Sequence, residues 1–232
     1  MARINCKYAS SPIIFVAPHG HQSDDYNTAL FAEKAADIAG GSYLINCGFQ
    51  RDIKVNESKD LADCNNFLHM SDPILFDEFL TPFRRMCLRA KKFFGTAFVV
   101  FVHGVSDKVR TASGVYDVDM ILGYGLGKPE SRSCIEISVN KFIYTLAEDG
   151  IVCAKGKAGG KYSGHSRNNM NQYWRKIELD MHINSIQLEI IKELRGDKII
   201  TELTAETVAR AAEKSATCTS FYLPSDFRCD FI

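Results

Sequence analysis

The sequence predicts an α/β fold in which a mixed, mostly parallel central sheet is flanked by helices. Two apolar runs, about 12–17 and 97–102, have the length and composition of central strands buried on both faces. The first run is followed by a helical pattern and a second strand, which is the order of a β-α-β unit. Because the 232 residues contain no repeat, low-complexity segment or linker, we expect a single domain over 1–232.

In the first half of the chain, apolar residues at helical spacing predict a helix over 26–38 that ends near Gly40. Residues 42–47 are predicted to form the next strand. A second helical pattern covers 74–94, where Pro82 is expected to kink the helix or divide it.

The second half alternates between the two kinds of pattern. Strands are predicted at 115–122, 151–154 and 183–191, and helices at 131–149 and 204–214. Thr204 is the expected N-cap of the last helix. The run Gly123-Tyr124-Gly125-Leu126-Gly127 follows a strand but leads into Lys128-Pro129, so it does not indicate a dinucleotide-binding turn.

Composition narrows the class of protein. Hydrophobic residues make up 46% and charged residues 24%, as in typical soluble globular proteins. Lys plus Arg and Asp plus Glu each count 28, and a net charge of zero favours neither nucleic acid nor a membrane as partner. The chain start lacks the apolar region of a signal peptide, and no stretch is long enough to span a bilayer. We therefore expect a cytoplasmic protein. The sequence does not predict an oligomeric state.

The eight cysteines show no C-x-x-C arrangement, so the sequence gives no zinc-finger or redox-motif signal. Several lie inside apolar runs, among them Cys87 and Cys153. We expect small buried hydrophobic residues in a reducing compartment.

Two of the predicted central strands end in a His-Gly pair that is followed by acidic residues. His19-Gly20 precedes Asp24 and Asp25, and His103-Gly104 precedes an aspartate. If the strands are parallel neighbours, both histidines emerge at the same edge of the sheet. Imidazole and carboxylate groups together are typical zinc ligands, so we predict a zinc site at this edge.

Two further features could carry chemistry. Glu189 lies on a predicted strand, where a buried carboxylate is costly unless it is paired or catalytic. Residues 155–161, Lys-Gly-Lys-Ala-Gly-Gly-Lys, form a basic glycine-rich loop suited to a phosphate or a carboxylate, although it lacks the Walker spacing. The alternative interpretation of that loop is a solvated surface segment.

Three short segments, taken in order, resemble a known family: Ala17-Pro18-His19-Gly20, Phe101-Val102-His103-Gly104 and Ile186-Gln187-Leu188-Glu189-Ile190. Their order and separation are similar to those of the N-formylglutamate amidohydrolase family and its relatives, which include phage poly-γ-glutamate hydrolases. The resemblance extends to about Ile200. It implies a fold of the zinc-carboxypeptidase, phosphorylase/hydrolase-like kind.

The resemblance also implies roles for individual residues. His19, His103 and a carboxylate would bind Zn2+, with the poly-γ-glutamate hydrolase spacing pointing to Asp24 and leaving Asp25 as the near alternative. Two histidines and one carboxylate leave a fourth position for water. Glu189 would act as general base and then as proton donor to the leaving amine.

Substrate binding in this family depends on arginines that hold a glutamate-like carboxylate. Arg51 and Arg167 lie in segments similar to the family's binding regions, although a surface or structural ion pair is the alternative for each. Asn65 is a further predicted substrate-binding residue. It is followed by Asn66 where relatives often have arginine, which weakens the assignment to N-formylglutamate in particular.

The leading hypothesis is a zinc-dependent hydrolase that cleaves an amide bond of an N-acyl amino acid or a glutamyl-type substrate. Its partner would be a small acidic or peptide-like molecule. The rival hypothesis is a non-catalytic module of the same fold that binds a small acidic ligand. A third is a phosphate-binding protein that uses residues 155–161.

Overall fold

A computed structural model describes residues 2–21, 24–50, 63–106, 109–111, 114–166 and 168–222. Seven strands form one sheet in the order β1-β3-β2-β4-β9-β7-β8, and β5 pairs with β6 in a separate hairpin. The strands are β1 Ile4–Lys7, β2 Ile13–Ala17, β3 Ser42–Asn46, β4 Ala97–Val105, β5 Val109–Thr111, β6 Gly114–Tyr116, β7 Met120–Gly123, β8 Cys153–Lys155 and β9 Ile183–Ile191.

Four long helices pack against the sheet: α1 Thr28–Ile38, α2 Thr81–Phe94, α3 Glu136–Glu148 and α4 Lys198–Tyr222. Shorter helical segments are Phe67–Ser71, Pro73–Leu75, Phe76–Leu80, Pro129–Ser131, Met170–Gln172, Tyr173–Lys176 and Glu193–Arg195. Within the described parts of the chain, no helix combines the length and the apolar character needed to cross a membrane.

The centre of the sheet is parallel. Strands β3, β2, β4 and β9 run in the same direction, while β1 and β7 are antiparallel to their neighbours β3 and β9. The carboxyl ends of β2, β4 and β9 therefore meet at one edge. The register places His103 opposite Glu189 across the β4–β9 pair, and His19 follows β2 at the same edge. The predicted mixed, mostly parallel sheet is confirmed.

Both faces of the central strands are buried, as their apolar composition predicts. One face packs Phe15, Val100 and Leu188 against α1, α3 and α4. The other packs Ile14 and Phe101 against α2 and the segments around it. Successive residues of a strand point to opposite faces, so a strand covered on both sides must be apolar at almost every position.

The predicted strand over 115–122 is wrong. Residues 114–116 belong to the β5–β6 hairpin, and β7 begins only at Met120. Asp119 lies between the two and uses its carboxylate to accept a hydrogen bond from the N–H of Val152 at 2.7 Å. This side chain is fixing the start of β7 rather than alternating along a continuous strand.

The last helix is longer than predicted, and Thr204 is not its N-cap. Helix α4 begins at Lys198, where the Asp197 carboxylate accepts a hydrogen bond from the N–H of Ile199 at 2.8 Å. The Thr204 hydroxyl donates to the carbonyl of Ile200 within the helix. Pro82 lies in the first turn of α2, and the π-helical turn Phe76–Leu80 comes directly before it. The helical backbone continues through the 74–94 pattern, so the proline coincides with a change of helix type rather than a break.

Three of the described cysteines behave as buried hydrophobic residues rather than as reactive thiols, whereas Cys6 is exposed. Cys64, Cys87 and Cys134 are buried, and all cysteines in the described ranges are free. Burial raises the pKa of Cys134 to about 12 and the pKa of Cys87 well above its ordinary value. Thiols with such pKa values are poor nucleophiles at neutral pH.

A buried arginine joins the strand ends to the segment before α1. Arg195 is 6% exposed, and its guanidinium donates to the carbonyls of Ile190 at 3.1 Å, Val105 at 3.0 Å and Tyr26 at 2.5 Å. Its own carbonyl accepts from the Asn27 side chain at 2.7 Å. These bonds connect the ends of β4 and β9 with the segment that follows His19.

Replacing Arg195 with alanine is expected to lower the free energy of unfolding by about 3 kcal/mol or more, because three backbone carbonyls lose their donor in bonds of which two are buried. Urea denaturation measures the change. The matched control is Arg210→Ala, which removes an exposed ion pair with Asp149 and is expected to cost less than about 1 kcal/mol. Equal effects of the two substitutions would contradict the structural role of Arg195.

Candidate metal centre

Three side chains converge at the carboxyl edge of the parallel strands. The Nδ1 atoms of His19 and His103 are 3.2 Å apart. The Oδ2 atom of Asp25 is 3.2 Å from Nδ1 of His19 and 3.6 Å from Nδ1 of His103. All three residues are buried, with exposed fractions of 3–7%. Within the described ranges, they form the group of histidine and acidic side chains that is suited to a metal ion.

These distances fit a zinc ion. Zinc–nitrogen and zinc–oxygen bonds of about 2.0–2.1 Å in a tetrahedron separate neighbouring ligand atoms by about 3.3–3.4 Å. The three observed separations bracket that value. The donor set and its spacing therefore suit Zn2+.

The turn after β2 decides which aspartate joins the histidines. The N–H of Asp25 donates to the carbonyl of His19 at 3.2 Å, and the Asp25 carbonyl accepts from the Thr28 hydroxyl at 2.8 Å. This turn directs Asp25 towards the two rings. Asp24, whose N–H donates to the His21 carbonyl, lies outside the group. The structure thus brings Asp25, the alternative that the sequence left open, to the two histidines in place of Asp24, and its role as a metal ligand stays a prediction.

The glycine of each His-Gly pair is required by packing. A side chain at Gly104 would collide with the guanidinium of Arg195. A Cβ atom at Gly20 would lie 2.8 Å from the carbonyl oxygen of Asn46. Both glycines therefore allow a neighbouring segment to lie directly behind a histidine.

A second carboxylate orients His19 from the other side of its ring. Oδ1 of Asp63 accepts a hydrogen bond from Nε2–H of His19 at 2.8 Å and also from the N–H of Asn65 at 2.8 Å. A carboxylate only accepts, so Nε2 must carry a proton and Nδ1 is left to face the cluster. Carboxylates commonly hold metal-binding histidines in this way. Asp63 lies in a polar segment without periodicity, so the sequence offered no signal for it.

Charges within the cluster shift the pKa values of its members. Burial alone would lower the pKa of His19, but the hydrogen bonds to Asp25 and Asp63 outweigh it and raise that pKa to about 9. Burial would raise the pKa of Asp25, but hydrogen bonds with His103 and His19 hold it far below its usual range. The cluster thus favours one extra positive charge, which a proton or a metal ion supplies.

Glu189 lies next to the cluster and is held by the amide of Gln187, which is itself held by the amide of Asn169. Nε2 of Gln187 donates to Oε1 of Glu189 at 2.6 Å, and Nδ2 of Asn169 donates to Oε1 of Gln187 at 2.6 Å. Gln187 and Glu189 are two positions apart on β9 and share a face. Burial raises the pKa of Glu189, although the charge of His103 opposes the shift.

A cavity of about 300 Å³ opens beside these groups. Its described walls include Asp25, His103, Glu189, Lys161 and Tyr162. Cavities of this size lie at the lower end of those that bind small molecules. A ligand of amino-acid size therefore fits next to the candidate metal ligands and Glu189.

The predicted substrate-binding residues are not brought together in the part of the chain that can be described. Arg51 and Arg167 lie outside the described residues. Asn65 contacts Asp63 through its N–H and Met170 through its carbonyl, and it is not among the described residues that line the cavity. Its role as a substrate contact stays a prediction.

The affinity for Zn2+ is expected to rise with pH up to about 9. Below that pH, His19 holds a proton that zinc must displace, so the affinity should increase by up to about ten-fold per pH unit. Chelator-buffered zinc titrations between pH 6.5 and 9 measure it. In Asp63→Asn the rise should level off at lower pH, because one bond that raises the pKa of His19 is weakened. A pH-independent affinity would contradict the assignment.

Comparison with known proteins gives matches in structure alone. No protein-family profile matches the chain, and no curated protein matches its sequence. The N-formylglutamate amidohydrolase from Ralstonia eutropha JMP134 superposes with a TM-score of 0.61 at 14% identity, covering 95% of this chain and 98% of that one.

Two further solved structures are similar. A bacteriophage poly-γ-glutamate hydrolase matches with a TM-score of 0.54 at 17% identity, over 92% of this chain and 87% of that one. A zinc-free form of YNDL matches with a TM-score of 0.55 at 14% identity, over 91% and 89%. The predicted resemblance is therefore confirmed at the level of the fold, which this chain shares with N-formylglutamate amidohydrolase and the phage poly-γ-glutamate hydrolase.

Proposed function

We propose that this protein is a zinc-dependent hydrolase that cleaves an amide bond of an N-acyl amino acid or a glutamyl-type substrate. The observation that carries the proposal is the convergence of His19, Asp25 and His103 beside the buried carboxylate of Glu189. Two histidines and one carboxylate are the ligand set of a catalytic zinc site, in which one position stays open. A small acidic or peptide-like molecule would be the substrate.

Each residue has a role that its surroundings support. His19, Asp25 and His103 would hold the metal, with Asp63 fixing the ring of His19. When bound, zinc supplies an acidified water and polarises the scissile carbonyl. Glu189 lies across the strand pair from His103, which puts its carboxylate at the cavity wall next to the cluster.

Glu189 would move the proton. It accepts a proton from the attacking water and then donates that proton to the nitrogen of the leaving amine. Burial supports this role because it raises the pKa of the carboxyl towards the range in which it can both accept and release a proton. The hydrogen bond from Gln187 keeps the carboxylate in one orientation.

The names of the similar structures are consistent with the proposal, but they add no evidence about this chain. One is described as an N-formylglutamate amidohydrolase and another as a poly-γ-glutamate hydrolase. A third is described as zinc-free. At 14–17% identity these likenesses concern the fold, so the site residues of this chain must carry the functional argument.

The deciding experiment compares wild type with Glu189→Gln and His103→Ala after reconstitution with zinc and dialysis. Elemental analysis should find zinc in wild type and Glu189→Gln but little in His103→Ala. Hydrolysis of N-formyl-L-glutamate and γ-glutamyl-p-nitroanilide should fall by about 100-fold or more in Glu189→Gln, which loses its proton acceptor but keeps its shape. A wild type that takes up no zinc would contradict the proposal.

The alternative of a non-catalytic module for a small acidic ligand is tested by the same variants. It requires that Glu189→Gln bind ligand as wild type does and that neither protein hydrolyse an amide. The hydrogen bonds from Asn169 through Gln187 to Glu189 favour the enzyme, because they orient a buried carboxylate at a cavity wall.

Gln187→Leu should lower kcat by about 10- to 100-fold without loss of zinc, because Glu189 is no longer oriented. The hydrogen bond from Gln187 stabilises the ionised carboxylate, so its removal raises the pKa of Glu189 further. The acidic limb of the pH–rate profile should therefore move to higher pH. An unchanged kcat and an unchanged profile would show that Gln187 does not position Glu189.

A further inference from the structure

The cavity beside the candidate metal centre has a basic side chain on its wall. Asp25 and Glu189 contribute carboxylates to the cavity wall. Lys161 is the one lysine or arginine among the described residues that line the cavity. Lys161 belongs to the glycine-rich loop 155–161, which the proposed reaction does not use. The arrangement brings a cation to the same cavity as the candidate zinc ligands.

The neighbouring tyrosine fixes where Lys161 lies. The ring of Tyr162 packs against a small apolar cluster that contains Val105, Ile121 and Ile191 at the ends of three strands. Nζ of Lys161 is 5.1 Å from the centroid of that ring, a distance at which a cation and an aromatic face attract each other. The ammonium group of this exposed lysine therefore lies over the wall that Tyr162 forms.

The backbone around Lys161 is anchored to the sheet. The N–H of Gly125 donates to the carbonyl of Ser163 at 2.7 Å, and the N–H of Gly156 donates to the carbonyl of Leu122 at 2.8 Å. A side chain at Gly123 or Gly156 would collide with the carbonyl oxygen of Tyr162. The glycines thus let this loop lie directly on the strand ends.

Another lysine of the loop and several backbone N–H groups in and next to it are occupied. Lys155 pairs with Glu136 and donates to Asn140 at 2.7 Å. The N–H groups of Gly160 and Ser163 donate to carbonyls within the loop, at 2.8 and 3.1 Å. These two N–H groups are therefore not available to a phosphate. The described residue of the loop that lines the cavity is Lys161.

We propose that Lys161 binds the carboxylate of an acidic substrate while the scissile amide lies at the metal centre. This inference rests on the proposed function, since it places the substrate between Lys161 and the proposed zinc ligands. A cavity of about 300 Å³ accommodates one amino-acid-sized group, so the two ends of a short dicarboxylate-like molecule can occupy it. An ammonium group opposite a carboxylate makes a charge-assisted hydrogen bond.

Binding of two small probes to the zinc-loaded protein tests the proposal without requiring turnover. Glutarate carries two carboxylates, and pentanoate has the same number of carbons but only one. Calorimetric titration of wild type should show glutarate binding at least about ten-fold more tightly than pentanoate. In Lys161→Met that preference should fall to within about two-fold, while Lys161→Arg should keep most of it.

The matched control is Lys157→Met, which removes an exposed lysine of the same loop that does not line the described cavity wall. It should retain the full preference for glutarate. A preference that survives in Lys161→Met, or that is absent from wild type, would overturn the proposal. A preference lost equally in both variants would also overturn it, because the effect would then reflect the charge of the whole loop.

Measuring amide hydrolysis shows whether the carboxylate site at Lys161 is wrong or the proposed hydrolase function is wrong. If wild type hydrolyses N-formyl-L-glutamate and Lys161→Met leaves KM unchanged, the carboxylate site is wrong and the hydrolase stands. If wild type hydrolyses no amide but prefers glutarate through Lys161, the hydrolase is wrong and the carboxylate site stands. With both correct, Lys161→Met raises KM for N-formyl-L-glutamate by about ten-fold and changes kcat little.

Discussion

The arrangement of the whole site depends on the parallel alignment of β2, β4 and β9. Because these strands run in the same direction, their carboxyl ends deliver His19, His103 and Glu189 to one edge from three distant parts of the chain. The register then places His103 directly opposite Glu189. A shift of one residue would turn one of the two to the other face of the sheet, where the apolar core lies. Burial of both faces is what prevents that shift.

The site concentrates charge in a place that water hardly reaches, and the surrounding bonds explain how this is tolerated. Asp25 and Asp63 hold His19 between them, and Gln187 satisfies Glu189. Each buried charge has a partner of fixed geometry, as a buried carboxylate or imidazolium requires. Arg195 lies behind β4 and is bound by backbone carbonyls, so a fifth charged group stabilises the frame of the site.

Local sequence patterns predicted the central strands and the two histidines at their ends. They did not predict the side chains that orient those histidines. Continuous apolar runs identify strands buried on both sides, and a histidine directly after such a run must lie at a sheet edge. The choice of Asp25 over Asp24 depends on a turn that differs by one residue, which no periodicity specifies. Asp63 reaches the site through tertiary contacts alone, so it could not be predicted. The loop 155–161 is predicted to suit a phosphate or a carboxylate, but that Lys161 is the residue at the cavity follows only from the way the loop is anchored at the strand ends.

The two His-Gly pairs look like one motif repeated along the chain. Each glycine, however, is required by a different neighbouring group. Gly104 makes room for the guanidinium of Arg195, whereas Gly20 makes room for the backbone at Asn46. Position 104 is thus coupled to position 195, and the coupling is steric rather than chemical. Among relatives of this chain, a larger residue at position 104 is expected only where a smaller one replaces Arg195, so the two positions should change together during evolution.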